Sequence, residues 1–298
     1  MFKSGFVTII GRPNVGKSTF INGVLKKKIA IMSDKVQTTR NTIHGVYTDD
    51  ECQIVFIDTP GIHKPKHELG RVINDMATSS LNEVEIVLFM VPFDEPLGKG
   101  DKYIMDIVQN YDIPVYLLIN KIDLAKNKNE VLQTIALYNE KFDFAEIIPI
   151  SAMTLDNIDH LIDVIKENIG EGPKYYPDDM ITNHPEQFII QEIIREKVLQ
   201  LTKEEVPHAV AVVIDAMETG EDGYINIVAS IIVERKSQKG IIIGKQGSMI
   251  TKIGTRARKE IKKRLGSPIY LDLWVKVQKD WRNNLSRLDE FGYKKEDN

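Results

Sequence analysis

One octapeptide near the start of the chain, Gly11-Arg12-Pro13-Asn14-Val15-Gly16-Lys17-Ser18, constrains the fold more than any other feature. It fits G-x-x-x-x-G-K-[ST], a pattern that chance gives to only about one chain in a hundred of this length. The apolar run 6–10 before it reads as a buried strand, and 19–25 after it reads as a helix. Strand, glycine loop and helix form the context in which this pattern builds a phosphate cradle. Gly11 and Gly16 let the backbone wrap tightly and turn its N–H groups inward, where they and the helix N-terminus face phosphate oxygens. Lys17 is then placed to reach β- and γ-phosphates, and the Ser18 hydroxyl to ligate Mg²⁺. With Thr19, these nine residues are the candidate phosphate-contacting set.

The 298 residues suggest two domains, with ample length for a core. A single cysteine, Cys52, excludes a disulfide framework within the chain and fits a reducing cytosol. No secretory signal pattern opens the chain, and the longest apolar run, 86–91, is too short to span a membrane. Charge is uneven. Residues 1–180 hold 19 basic and 26 acidic side chains, and 181–298 hold 20 and 17. Between Arg235 and Arg264 stand 11 basic residues and one acid, Glu260. Such a local excess exceeds what solvation needs and points to a polyanion partner.

Strand signals at 53–57, 86–91, 115–119 and 147–150 alternate with helical patterns at 69–81, 102–109, 130–141 and 158–169. The alternation predicts an α/β, doubly wound, mostly parallel sheet, with its ligand at the carboxyl ends of the strands. Gly170, Gly172, Pro173, Pro177 and Pro185 mark a break. The expected organisation is a nucleotide domain at 1–170, a linker at 171–185, a second, α+β domain at 186–279 and a tail at 280–298. Tyr175 and Tyr176 suggest a linker packed on the first domain. The second domain reads as a helix at 187–201, strands at 209–217 and 224–233, a loop, a helix at 248–265 and a strand at 269–277.

Asp58-Thr59-Pro60-Gly61 ends the strand at 53–57. Asp58 there can hold Mg²⁺ through water, and the Gly61 N–H can meet a γ-phosphate. Asn120-Lys121-Ile122-Asp123 ends the strand at 115–119. The Asp123 carboxylate only accepts hydrogen bonds, so it suits the N1–H and 2-amino groups of guanine and rejects adenine. Asn120 can bind the other edge of the base, and the Lys121 stem can cover its plane. Ser151-Ala152-Met153 follows the strand at 147–150 and offers backbone donors near the guanine carbonyl. Together these motifs resemble the translation-factor-related class of small GTPases. That resemblance implies a switch loop whose threonine joins the Mg²⁺ with Ser18 and Asp58. Thr38 and Thr39, in Gln37-Thr38-Thr39-Arg40, are the candidates, and Thr39 is preferred. Lys17, Thr39 and Gly61 are the residues expected to serve hydrolysis, and Arg40 is a further candidate for phosphate contact.

Many GTPases orient the attacking water with a glutamine just after D-x-x-G. Ile62 occupies that place and cannot do so. In GTPases with a hydrophobic residue here, an asparagine in the phosphate loop often supports a monovalent cation. Asn14 stands at that position, so K⁺ is one reading and a plain turn residue the other. Slow intrinsic hydrolysis of GTP to GDP, stimulated by a partner, is expected.

In the second domain, Gly244-Lys245-Gln246-Gly247 lies between an apolar run and a helix, inside the basic block. In KH domains a G-x-x-G loop clamps the backbone of about four nucleotides. The candidate RNA contacts are Ile243, Gly244, Lys245, Gln246, Gly247, Ile250, Lys252, Arg256, Lys259 and Lys263, with bases over Ile243 and Ile250. The order α-β-β-α-α-β is that of KH type II.

A GTPase domain followed by a KH type II domain, with Gly-Arg-Pro-Asn-Val-Gly-Lys-Ser, Asp-Thr-Pro-Gly-Ile-His-Lys-Pro and Gly-Pro-Lys-Tyr-Tyr-Pro, resembles the Era family of bacterial GTPases over nearly the whole chain. The resemblance implies a monomeric, cytoplasmic protein that binds small-subunit ribosomal RNA near its 3′ end and acts in assembly of the small ribosomal subunit. It also implies peripheral association with the inner face of the membrane. A GTP-dependent protein switch at the membrane surface is the alternative. Trp281 and Arg282 read either as an element beside the RNA site or as a cap on the KH sheet.

Overall fold

The computed structural model describes residues 1–33, 35, 38–65, 67–82, 84–203 and 206–293. Gln37 lies outside them. The first 168 residues build a six-stranded sheet from β1 (Lys3–Ile10), β2 (Ile43–Thr48), β3 (Cys52–Asp58), β4 (Ile86–Pro92), β5 (Val115–Asn120) and β6 (Glu146–Pro149). Its order is β2-β3-β1-β4-β5-β6, parallel throughout except that β2 runs antiparallel to β3. The helices are α1 (Lys17–Val24), α2 (Glu68–Ser79), α3 (Lys99–Val108), α4 (Lys128–Asn139) and α5 (Ile158–Asn168).

Strand side chains alternate between faces, so β4 and β5 feed two cores. Leu88, Met90, Tyr116 and Leu118 pack with Phe20 and Ile21 of α1 and Leu161 and Ile165 of α5. Val87, Phe89, Leu117 and Ile119 pack with Ile104 and Val108 of α3 and Tyr138 of α4. A sheet covered on both faces explains why its central strands are apolar without interruption.

The second sheet has order β7-β8-β9, from β7 (Ala211–Thr219), β8 (Ile225–Val233) and β9 (Ile269–Val277). β7 and β8 are antiparallel, and β8 and β9 parallel. Helices α6 (Glu186–Leu201), α7 (Lys236–Ile243) and α8 (Ser248–Leu265) pack on one face through Ile193, Ile242, Ile253, Ala257 and Ile261. A C-terminal piece with α9 (Leu285–Glu290) brings Trp281, Leu288, Phe291 and Tyr293 onto Ala211 and Ile232. Leu69, Ile73 and Met76 of α2 join that same cluster. Trp281 is fully buried, which is the capping arrangement.

Two elements differ from the sequence reading. β2 was not expected, because Gly45 interrupts its β pattern. The glycine is needed there: a Cβ would stand 2.7 Å from Leu25 Cδ1 and 2.9 Å from Ile21 Cδ1. The order α-β-β-α-α-β calls for a helix before Ser248, but the local pattern reads as a loop where α7 lies, because Gly240 and three consecutive isoleucines speak weakly for helix. The segment from Glu171 to Thr182 runs along the first sheet. Tyr175 packs on Phe6 at 4.8 Å, and the Tyr175 and Tyr176 N–H groups donate to Gln53 Oε1.

Candidate nucleotide and nucleic-acid sites

The glycine loop joins β1 to α1, with Gly16 at φ 110. A Cβ on Gly16 would lie 2.1 Å from Asn120 Nδ2, so the loop and the base-binding strand end meet at a residue without a side chain. Asn120 fastens that meeting point. Its Nδ2 donates to the Val15 carbonyl at 2.8 Å, and its Oδ1 accepts from the Ala152 N–H at 2.9 Å. One carboxamide thus ties the phosphate loop, the end of β5 and the 151–153 loop together, leaving at most one N–H for a base edge. Asp123 accepts from Ser151 Oγ at 2.6 Å. Lys121 adopts the left-handed conformation, φ 69, and its ammonium lies 3.7 Å from Asp94. Ile122 is half-buried and Met153 largely exposed.

The Lys17 ammonium is buried and donates to the carbonyls of Gly11 at 3.1 Å and Arg12 at 3.0 Å. Burial lowers its pKa to about 8, partly opposed by the Asp58 carboxylate. Burial also raises Asp58 to about 6, against the pull of Lys17 and the Ser18 hydroxyl. Ser18 Oγ lies 2.9 Å from Thr39 Oγ1 and donates to Asp58 Oδ2 at 3.0 Å. Asp58 Oδ1 is buried with no hydrogen-bond partner. Two hydroxyls and a carboxylate with a spare oxygen are the hard donors that Mg²⁺ takes, alongside phosphate oxygens. The residues therefore fit the ion. Of the two candidate threonines, Thr39 is the one brought here. The Thr38 hydroxyl donates instead to the carbonyls of Lys35 at 2.6 Å and Ser33 at 3.3 Å.

Several expected contacts are placed elsewhere. The Arg12 side chain leaves the phosphate loop for α3, where its Nε donates to buried Asp101 at 2.8 Å and its Nη1 pairs with Glu95 at 3.0 Å. The Thr59 hydroxyl is spent on the Ile9 carbonyl at 2.6 Å. Ile62 is buried in the α3–α4 core, and a Cβ on Gly61 would press on Pro13 N at 2.7 Å. Asn14 stands at φ 66, a conformation that asparagine tolerates better than most residues. Arg40 corrects the sequence reading most sharply. It is 1% exposed and turned away from the phosphates into the second domain, because the surface it meets there offers carbonyls and aromatic faces. Nothing local in the sequence marks that surface.

In the second domain, Gly244 at φ 72 and Gly247 at φ 78 bracket the turn between α7 and α8. A Cβ on Gly244 would meet Met249 Cβ at 2.7 Å, whereas Gly247 faces open space. Lys245 and Gln246 are exposed, and Ile243 and Ile250 are half-buried. A groove of about 320 Å³ runs beside α8, lined by Ile250, Thr251, Gly254, Thr255, Arg258, Leu271 and Leu273. Lys252 and Arg256 follow Ile250 and Gly254 by two residues, about 200° round the helix, so with Lys263 they face away from the groove. Lys259 borders it. Arg258 lines it, and Lys262 stands one turn further on the same side. The i, i+4 spacing of Ile250, Gly254 and Arg258 could have picked out that stripe.

A phosphate loop, a hard-oxygen cation site and an acidic base contact at adjoining strand ends define a guanine-nucleotide-binding protein, here joined to a G-x-x-G nucleic-acid module. Residues 6–121 match the family model described as 50S ribosome-binding GTPase, and 205–282 match the KH domain. The structure of Era in complex with MgGDPNP and nucleotides 1506–1542 of 16S ribosomal RNA is 41% identical, with a TM-score of 0.96. The match covers 99% of this chain and 100% of that one. An Aquifex aeolicus Era variant bound to GDP·AlF₄⁻ is 42% identical, with a TM-score of 0.94 over 98% of this chain and 100% of its own. The chain belongs to the Era family of GTPases.

Proposed function

We propose that the protein is a GTP-hydrolysing switch that binds the 3′ end of small-subunit ribosomal RNA and acts in assembly of the small ribosomal subunit. What supports this most is end-to-end likeness to a relative whose described partners are a GTP analogue with Mg²⁺ and 16S rRNA nucleotides. Ser18, Thr39 and Asp58 would hold Mg²⁺, which would neutralise charge at the phosphate oxygens. Lys17 exchanges two carbonyl partners for phosphate oxygens and regains the charge stabilisation that burial removes. Asp123 reads the guanine donors. The Gly61 N–H meets the γ-phosphate, and buried Ile62 keeps its apolar side chain out of the water's path. Turnover without a partner is slow on this reading, because Ile62 stands where a glutamine would orient the water. A K⁺ ion near Asn14 is a separable part of the proposal. A several-fold faster GTPase in K⁺ than in Na⁺ at equal ionic strength supports it, and equal rates remove it.

The KH groove takes single-stranded RNA, with backbone against Gly247 and Lys245 and bases over Ile250 and Gly254. On this reading the protein works in the cytoplasm as a monomer, with any membrane contact peripheral. The test is fluorescence anisotropy with a labelled 16S 3′-end RNA. Joint Lys259→Glu and Lys262→Glu substitution should reduce RNA affinity at least tenfold and leave GDPNP affinity unchanged. Unchanged RNA affinity would contradict the groove assignment.

A further inference from the structure

The switch threonine and the second domain are joined by one buried arginine. Arg40 Nη1 donates to the Val210 carbonyl at 2.6 Å and lies 3.4 Å from the Tyr293 hydroxyl, while Nη2 donates to the carbonyls of Pro207 at 3.2 Å and His208 at 3.4 Å. The guanidinium carbon sits 6.0 Å from the Trp281 ring centroid and 5.8 Å from that of Tyr293. Trp281 Nε1 donates to the Ala209 carbonyl, which orders the same loop. On the other flank of Thr39, Arg195 of α6 donates to the Thr38 carbonyl and is itself held by Glu192 at 2.7 and 2.6 Å. Three consecutive residues therefore touch, in order, α6, the cation site and the pocket under the C-terminal cap.

We propose that Arg40 is a positioning residue that couples nucleotide state to the RNA domain: it docks in the pocket of Pro207, His208, Val210, Trp281 and Tyr293 only while Thr39 is engaged at Ser18 and Asp58. This rests on the RNA-switch reading above. Arg40 is bonded directly to Thr39, their Cα atoms about 3.8 Å apart, and the Thr38 carbonyl is held by Arg195 on the other flank, so a displacement of Thr39 by several ångströms pulls on both anchors. The pocket offers carbonyls, a phenol and ring faces, with no carboxylate among Arg40's hydrogen-bond partners in the described residues, and Arg40 Nε is buried without a partner there. A buried cation compensated in this way gains water on leaving. That hydration offsets part of what the docked contacts supply, as an element that must also undock needs. Undocking frees the 207–210 loop and the C-terminal cap. That cap also packs on α2, the helix that follows Gly61 in the chain. By linkage, RNA and GTP then favour each other's binding through Arg40 by one common factor.

The test uses the full chain. RNA affinity is measured with GDPNP and with GDP for wild type, Arg40→Ala and Arg40→Lys, the lysine variant keeping the charge while losing the fork. Wild type should show a difference of fivefold or more between the two nucleotides. Both variants should fall within about twofold of unity, with GDP affinity and melting temperature close to wild type. In a Trp274→Phe background, Trp281 emission should differ between GDPNP and GDP, and Arg40→Lys should abolish that difference. A nucleotide-dependent ratio that survives in a folded Arg40→Lys protein overturns the latch and leaves the RNA reading standing. So does a wild type whose RNA affinity ignores nucleotide. Absence of RNA binding in both states removes the RNA reading itself, and the latch with it.

Discussion

Two single atoms carry much of the nucleotide site. At Gly16 a methyl group would enter Asn120 Nδ2 at 2.1 Å, on a backbone with φ 110. Gly16→Ala should therefore lower GDP affinity at least a hundredfold, about 3 kcal/mol, measured by isothermal titration. At Asp123 the change of an acceptor oxygen for an amide donor meets the donors of guanine with a donor. Asp123→Asn should weaken GTP binding at least tenfold and improve binding of xanthosine triphosphate, whose 2-carbonyl accepts where guanine donates. Retained preference for GTP in a competition assay would contradict this placement of Asp123. The motif residues were legible because phosphate and guanine chemistry permits few residue types. Arg40 was not, since its partners are carbonyls and rings contributed by residues about 170 to 250 positions away.

At the scale of elements, periodicity exposed the buried strands and the amphipathic helices, and failed where packing overrode local preference. β2 exists because Gly45 admits Leu25, Ile21 and Ile29 against the strand. The sequence placed the bases over Ile243 and Ile250 but did not sort the basic residues of α8 by side, since the register of α8 against β9 is not local. The structure separates the two sides, and Arg258→Glu should weaken RNA binding several-fold more than Arg256→Glu at the same salt. Equal effects would mean that only net charge matters. The turn between β2 and β3 is fixed to α5 by Lys166, whose ammonium lies 2.6 Å from Asp49. Burial alone would raise the Asp49 pKa. The Lys166 bond, the N–H groups of Glu51 and Cys52 and the Tyr47 hydroxyl outweigh it and hold the carboxyl well below its usual range. A depressed carboxylate stabilises the fold above its unfolded pKa, near 4, and the contribution fades as pH falls further. Asp49→Asn should cost up to about 1 kcal/mol at pH 7, given the exposure of the pair, and less at pH 3, by urea denaturation.

Across the whole molecule, the acidic and basic halves meet along the segment that carries the switch. Lys28 pairs with Glu196 at 2.7 Å and Glu260 at 2.6 Å, and Arg264 donates to the Lys28 carbonyl. Glu260, the one acid in the basic block, thus belongs to the domain contact and leaves the groove side basic. Lys28, Thr38, Arg40 and α2 join the nucleotide domain to the RNA domain, so a change at the phosphates has a physical route to the groove. The most direct measurement is crosslinking of the protein to RNA in cells with sequencing, comparing wild type with Asp123→Asn. The account predicts reads concentrated at the 3′ end of small-subunit ribosomal RNA and depleted in the variant. No enrichment there in either protein would contradict it.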